Sequence, residues 1–241
     1  VNAAEEIKPA YMHKLKTLRL ILGDQLNRQH TWFHKPEEHV TYVMMELRSE
    51  TDYALHHIQK VVGFFAAMRA FAYELTQQGF EVIYLKLNDS SNKQSFGENL
   101  FGLIQEKQFQ HFEYLLPDEY RVDQHLNDFC KSLSITHDAI DSQHFYSTRN
   151  ELGDFFKGKK TFVMESFYRN MRKKHRVLME GDLPVTGQWN YDADNRKKLP
   201  ANHKPIAPLL FQNEVEDILQ EIEGSGVKTI GKIDAKQFLW P

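Results

Sequence analysis

Several things are scarce in this chain, and each scarcity excludes a class of function. There is one cysteine, Cys130, in 241 residues, so neither a disulfide framework nor a cysteine-ligated metal centre can be built from it. Positive charge is not in excess either. Thirty Lys and Arg stand against 33 Asp and Glu, for a formal net charge of -3 and a pI near 6.5. A globally basic nucleic-acid binder is thereby excluded, and any nucleic-acid contact must come from a local cluster. No apolar run approaches the length of a membrane span, and residues 1–14 are polar and mixed in charge, unlike a signal peptide. A soluble protein of a reducing, cytoplasmic compartment is the expectation. Also missing are the glycine-rich dinucleotide fingerprint and a phosphate loop ending in Lys-Ser or Lys-Thr, which disfavours ordinary NAD binding and P-loop chemistry.

What is present is an alternation of extended and helical patterns. Residues 18–22 (Leu-Arg-Leu-Ile-Leu) are mainly apolar and run straight into Gly23, Asp24 and Gln25. A buried strand ending in glycine and polar side chains places those groups at the carboxyl edge of a sheet, where open α/β folds bind ligands; a plain turn with Asp24 as a cap is the other reading. Further strands are expected over 40–46, 81–87, 112–116 and 134–140. Helices are expected over 52–78, 96–107 and 118–133. The first carries Leu55, Ile58, Val62, Phe65, Met68, Ala72 and Leu75 at steps of three and four, and the last carries Tyr120, Val122, Leu126, Phe129 and Cys130. The alternation argues for an α/β fold with a doubly wound parallel five-stranded sheet over residues 15–145. A mainly helical and loop region is expected over 146–241.

In that second region, residues 161–179 are expected to form a helix with an aromatic-rich start, on which Arg169, Arg172, Lys173 and Arg176 share one face. Such a face is either simply solvated or binds an anion. The following segment, 181–198, holds Trp189, Tyr191 and three successive cations, Arg196, Lys197 and Lys198, without periodicity; long ordered loops of this kind tend to be functional. A proline-bearing stretch over 200–208 and a last helix over 211–222 follow. The apolar residues Phe238, Leu239 and Trp240 are expected to seek a partner surface, with more chain beyond Pro241.

Read in order, these segments resemble the deoxyribodipyrimidine photolyase-related family, the iron-sulfur bacterial cryptochromes and six-four photolyases. The matching motifs are Leu20-Ile21-Leu22-Gly23-Asp24-Gln25-Leu26, Glu50 through His56-His57, Ala67-Met68-Arg69-Ala70-Phe71-Ala72, Met164-Glu165-Ser166-Phe167-Tyr168-Arg169, and Gly187-Gln188-Trp189-Asn190 with Asp194-Asn195-Arg196. The resemblance covers only the amino-terminal half of such a protein. It implies a Rossmann-like antenna domain and a linker, with a helical domain holding FAD and a four-cysteine iron-sulfur cluster absent from this chain. The whole protein is then expected to repair photoproducts in damaged DNA by light-driven electron donation, or to sense blue light, while this part alone has no repair activity.

The same resemblance implies site residues. A 6,7-dimethyl-8-ribityllumazine antenna is expected against Gly23, Asp24, Gln25, Leu26, Met45, Glu46, Glu50 and Tyr53. Physically, a flavin-like heterocycle needs aromatic faces such as Tyr53 and Phe64 and a few hydrogen-bonding groups. Glu50 either accepts from the ligand or only supplies negative charge at a helix amino terminus. His56 and His57 are adjacent helix positions pointing about 100° apart, so packing or a hydrogen bond suits them better than a metal. Asn195 and Arg196 match the motif that the family brings near flavin and lesion, and with Arg169 and Arg172 they are the expected DNA-facing groups. Asp194 stands where Glu is usual, and Thr186 where glycine is common, which puts the loop conformation in question. The alternative is a nucleotide- or small-ligand-binding α/β module without repair activity.

Overall fold

The computed structural model describes residues 14–209 and 213–235, apart from the side chain of residue 194. The start of the expected last helix and the apolar residues 238–240 lie outside the described residues.

Val40–Met45 (β2) is buried at every position, as a strand covered on both faces must be. It pairs in parallel with Thr17–Leu20 (β1), which pairs on its other side with His111–Leu115 (β5). Glu81–Leu85 (β4) and Thr136–Ile140 (β6) complete an all-parallel five-stranded sheet in the order β4-β2-β1-β5-β6. Leu18, Leu20 and Phe112 turn to one face, where they join Leu100 and Ile104 of Phe96–Lys107 (α3) and Val122, Leu126 and Cys130 of Tyr120–Ser132 (α4). Burial pushes the Cys130 thiol up to about 11, so it is an inert core group. On the opposite face, Phe71 of Ile58–Gln77 (α2) meets Phe33, which also touches Tyr42 and Phe80. Arg19, in the central strand, is paired there with Glu113 at 2.5 Å and covered by Trp32 and Tyr42.

The helix expected over 52–78 starts only at Ile58, behind a separate short helix. Arg48–Asp52 (α1) ends early, and α2 starts at Ile58. Between them His57 is extended, its ring Nδ1 accepts from the Gln59 amide as the cap of α2, and His56–His57 (β3) pairs with Thr229–Ile230 (β9). A contact with a distant segment overrides the local pattern, and Leu55, expected on the apolar stripe, is 62% exposed. Tyr120, expected on the α4 stripe, is also exposed, because it opens the helix.

By compactness the chain forms two units. The first comprises described residues 14–140 and 213–235, the second 141–209. The division expected at 145/146 thus falls at 140/141, and residues 213–235 belong with the sheet. The reason is apolar burial: Val215, Ile218 and Ile222, at and within Glu216–Ser225 (α8), are buried and α8 packs on α2. Polar contacts add to this, since Arg48 donates to the Ser225 carbonyl at 2.7 Å.

The second unit contains Glu151–Phe156 (α5), Met164–His175 (α6), the hairpin of Met179–Glu180 (β7) and Leu183–Pro184 (β8), and Asp192–Asn195 (α7). The helix expected over 161–179 is therefore shorter. Arg176 takes a left-handed conformation, φ 57°, and stops it, so Arg176 does not continue the expected basic face.

Candidate functional site

Three strands end side by side where the strand order reverses direction, between β1 and β5. From β1 come Ile21, Leu22, Gly23 and Asp24, from β2 come Leu47 and the α1 residues Glu50 and Thr51, and from β5 come Pro117 and Glu119. Together with one side of α2 they enclose a cavity of about 260 Å³. Open α/β sheets bind ligands at such switch points. Its apolar walls include Met45, Val61, Phe64, Phe65, Met68, Phe96 and Val122, while Asp24, Glu50, Tyr53, His56, Lys60 and Glu119 bring polar atoms to it.

Gly23 is small for a packing reason. A Cβ there would lie 2.8 Å from Met68 Sδ and 3.2 Å from Phe64 Cδ1, so side chains of α2 occupy the space a larger residue would need and would have to shift to admit one. Gly23→Ala is expected to push Phe64 and Met68 into the cavity and to destabilise the fold by about 1 kcal/mol, the low end for overpacking. Thermal melts of the two proteins would check the cost.

Arg121 organises the rim. Its Nη1 and Nη2 donate to the two Glu50 carboxylate oxygens at 3.0 and 2.7 Å, Nε and Nη2 donate to Glu119 at 2.8 and 3.1 Å, and the guanidinium lies 4.3 Å over the Tyr53 ring. The hydrogen bonds to Glu50, followed by those to Glu119, hold Arg121 protonated well above its usual value. Next to it, His56 meets the edge of Tyr53 at 4.8 Å, and its Nδ1 lies 3.2 Å from Lys60 Nζ. Because an ammonium only donates, Nδ1 accepts and Nε2 carries the ring proton. That Nε2 is buried and has no hydrogen-bond partner among the described residues.

Of the nine residues expected at the ligand, Gly23, Asp24, Met45, Glu50, Tyr53 and Phe64 line the cavity, whereas Gln25, Leu26 and Glu46 do not. Gln25 is 1% exposed; its carbonyl accepts from Leu22 N and its amide donates to Leu115 O, both at 3.1 Å, which ties the end of β1 to the end of β5. Leu26 is half-buried. Glu46 is fully buried and receives Arg69 and Tyr84. Residues that sequence reasoning left out are Glu119, Arg121, Lys60 and His56 as a ring aimed at the site. The spacing of Lys60 and Phe64, one turn apart on α2, was the available signal for one of them.

In the second unit Trp189 is the centre. The cations of Arg169, Arg172 and Lys173 lie 5.1, 5.4 and 5.8 Å from its ring. Arg172, expected to face DNA, is 7% exposed and donates to the carbonyls of Val177, Leu178 and Trp189 and to the Tyr168 hydroxyl. It holds the chain that follows α6 and is not an exposed cation. Arg169, Asn195 and Arg196 are exposed, with Arg169 paired to Glu165. Thr186 adopts φ 74°, a conformation a glycine takes without cost; the loop keeps the turn although the side chain disfavours it.

The fold defines a doubly wound α/β protein with a cavity at its switch point. The chain belongs to the deoxyribodipyrimidine photo-lyase-related protein family, which it matches over residues 19–238. It is 33% identical over 214 residues to the (6-4) photolyase of Agrobacterium fabrum (strain C58 / ATCC 33970), an alignment that covers 86% of this chain and 42% of that protein. It is also similar to an uncharacterized protein of Acanthamoeba polyphaga mimivirus, 25% identical over 200 residues, covering 77% of this chain and 96% of the viral one. The chain therefore spans less than half the length of the photolyase it matches.

Proposed function

We propose that the cavity holds 6,7-dimethyl-8-ribityllumazine as a light-harvesting chromophore, and that the chain is the antenna part of a photolyase-type protein acting on photoproducts in damaged DNA. The observation that carries this reading is the donor and acceptor set around an apolar slot. Phe64, Met68 and Met45 suit the faces of a bicyclic heterocycle, Asp24 and Glu50 can accept from ribityl hydroxyls, and His56 Nε2–H, which has no hydrogen-bond partner among the described residues, can donate to a ring carbonyl. When bound, the lumazine supplies absorption of near-ultraviolet and blue light; the residues bind it, orient it and keep water away. FAD and an iron-sulfur cluster, implied by the family resemblance, are assigned to a domain outside the described residues. Arg169, Asn195 and Arg196 are assigned to the DNA-facing surface.

The test is an absorption spectrum of the purified chain before and after incubation with the lumazine and desalting, with mass spectrometry of released small molecules. A retained lumazine band, with affinity lowered about tenfold or more by Glu50→Ala, as for a lost charge-assisted hydrogen bond, is the expected result. A chain that stays colourless after incubation would overturn the reading, and a thermal-shift screen of nucleotides would then take its place. The chain alone should show no photoreactivation.

A further inference from the structure

We infer that Arg121 is a positioning residue for the cavity, the latch that holds residues 48–57 against it as a closed wall. The inference rests on the ligand reading above. Arg121 is not itself among the residues that line the cavity, yet Glu50, Tyr53 and Glu119, which it engages, all are. Glu50 and Tyr53 belong to the chain that follows β2, and Glu119 to the chain that follows β5. Those two strands flank β1 on opposite sides, so one guanidinium joins two walls of the crevice.

The wall it holds is weakly anchored from within. Between Leu47 and Ile58, both buried, Thr51 is buried but residues 52–55 are exposed in succession. The Arg48 bond to the Ser225 carbonyl and the pairing of β3 with β9 tie this segment on the side of residues 225–230. A stretch with few buried apolar groups lies at the low end of local stability, from which lids are drawn. Arg121 takes one lone pair on each Glu50 oxygen, and a carboxylate offers about four, so the carboxylate is fixed and can still accept from a ligand hydroxyl. Without Arg121 a ligand would have to order Glu50 and Tyr53 itself. The side chains of Arg121, Glu50 and Glu119 are 40, 28 and 44% exposed, and ion pairs so placed add little to the stability of a fold. Their effect therefore falls on the site.

The experiment uses the full chain with Arg121→Gln and Arg121→Lys. Without ligand, hydrogen exchange is expected to quicken at amides 50–57 in both variants relative to β1 and β2, while the urea midpoint stays near that of the native chain. In titrations followed by lumazine fluorescence, both variants should bind about tenfold more weakly, the effect of leaving two side chains for the ligand to order. Faster dissociation should carry most of that change. Lysine keeps the charge but cannot span two carboxylates and cover the ring as the planar guanidinium does. Full rescue by lysine, or unchanged exchange and affinity in Arg121→Gln, overturns the inference and leaves the lumazine reading standing. Exchange that quickens equally in the strands marks a purely structural role and overturns it as well. A native chain that takes up no lumazine overturns the ligand reading, and exchange at 50–57 then decides the latch alone.

Discussion

Glu46→Ala is expected to cost about 3 to 5 kcal/mol of the stability of the sheet-bearing unit, the range for breaking a buried ion pair from one side. The carboxylate is fully buried and receives four donors: Arg69 Nε at 2.7 Å, Arg69 Nη2 at 3.0 Å, the Tyr84 hydroxyl at 2.7 Å and the Leu87 amide at 2.9 Å. Removing it leaves the Leu87 amide and the Tyr84 hydroxyl without their acceptor and takes from Arg69 the fully buried one of its carboxylate partners. Arg69 also holds Glu221 of α8, which Lys86 approaches at 3.3 Å, so the damage should spread to the docking of α8 on α2. Glu46→Gln keeps acceptors for Tyr84 and Leu87 and should cost less. Urea unfolding followed by far-ultraviolet circular dichroism gives the comparison, and a loss below about 1 kcal/mol for the alanine variant would show that the network carries no weight.

The same network carries a pH dependence. Burial raises the Glu221 carboxyl, but the hydrogen bond and charge of Arg69, with Lys86 behind them, outweigh it and hold the group below its ordinary value. A carboxyl depressed in the folded state contributes stability above its unfolded value and loses it as the pH falls through the folded one. Hydrogen exchange of α8 amides should therefore quicken, relative to α3, only at pH values below the ordinary carboxylate range.

These two residues also show what the sequence could and could not disclose. The inner strands were legible because they are short, carry apolar residues and are followed by polar ones, whereas β6, Thr-His-Asp-Ala-Ile, is polar and largely exposed; α3 was legible over its full span, Phe96–Lys107. The break before α2 was not, since it depends on pairing with Thr229–Ile230, far along the chain. Strand-end residues were rightly gathered at one edge of the sheet, yet the fate of each depended on a partner that local pattern does not name. Glu46 and Glu50 look alike in sequence, four positions apart; Arg69 takes the first into the interior, and Arg121 holds the second at the rim. Gln25 is bound by carbonyls of a neighbouring strand, Leu115 and Leu116. Cavity walls are harder still to see, because Phe65 and Met68 carry the same helical spacing whether they meet a ligand or a neighbour.

Arg172 and Arg169 extend that contrast to the second unit, where substitution should separate support from contact. Arg172→Ala is expected to destabilise this unit by about 2 to 3 kcal/mol, because three backbone carbonyls, those of Val177, Leu178 and Trp189, lose a charged donor together. Arg172→Lys should rescue little, since a single ammonium cannot span acceptors that the planar guanidinium reaches with all three nitrogens. Arg169→Ala removes an exposed pair with Glu165 and one of the cations over Trp189, so stability should change by less than about 1 kcal/mol. Nucleic-acid binding should respond in the opposite order once unfolding is accounted for. Arg169→Ala should lower affinity and reduce the salt slope by about one, as for a lost phosphate contact. Arg172→Ala, measured below its unfolding temperature, should leave that slope unchanged while opening residues 176–190 to proteolysis. An unchanged slope for Arg169→Ala would remove it from the DNA-facing set; a reduced slope for Arg172→Ala, with the loop still protected, would show that its cation reaches phosphate despite its burial.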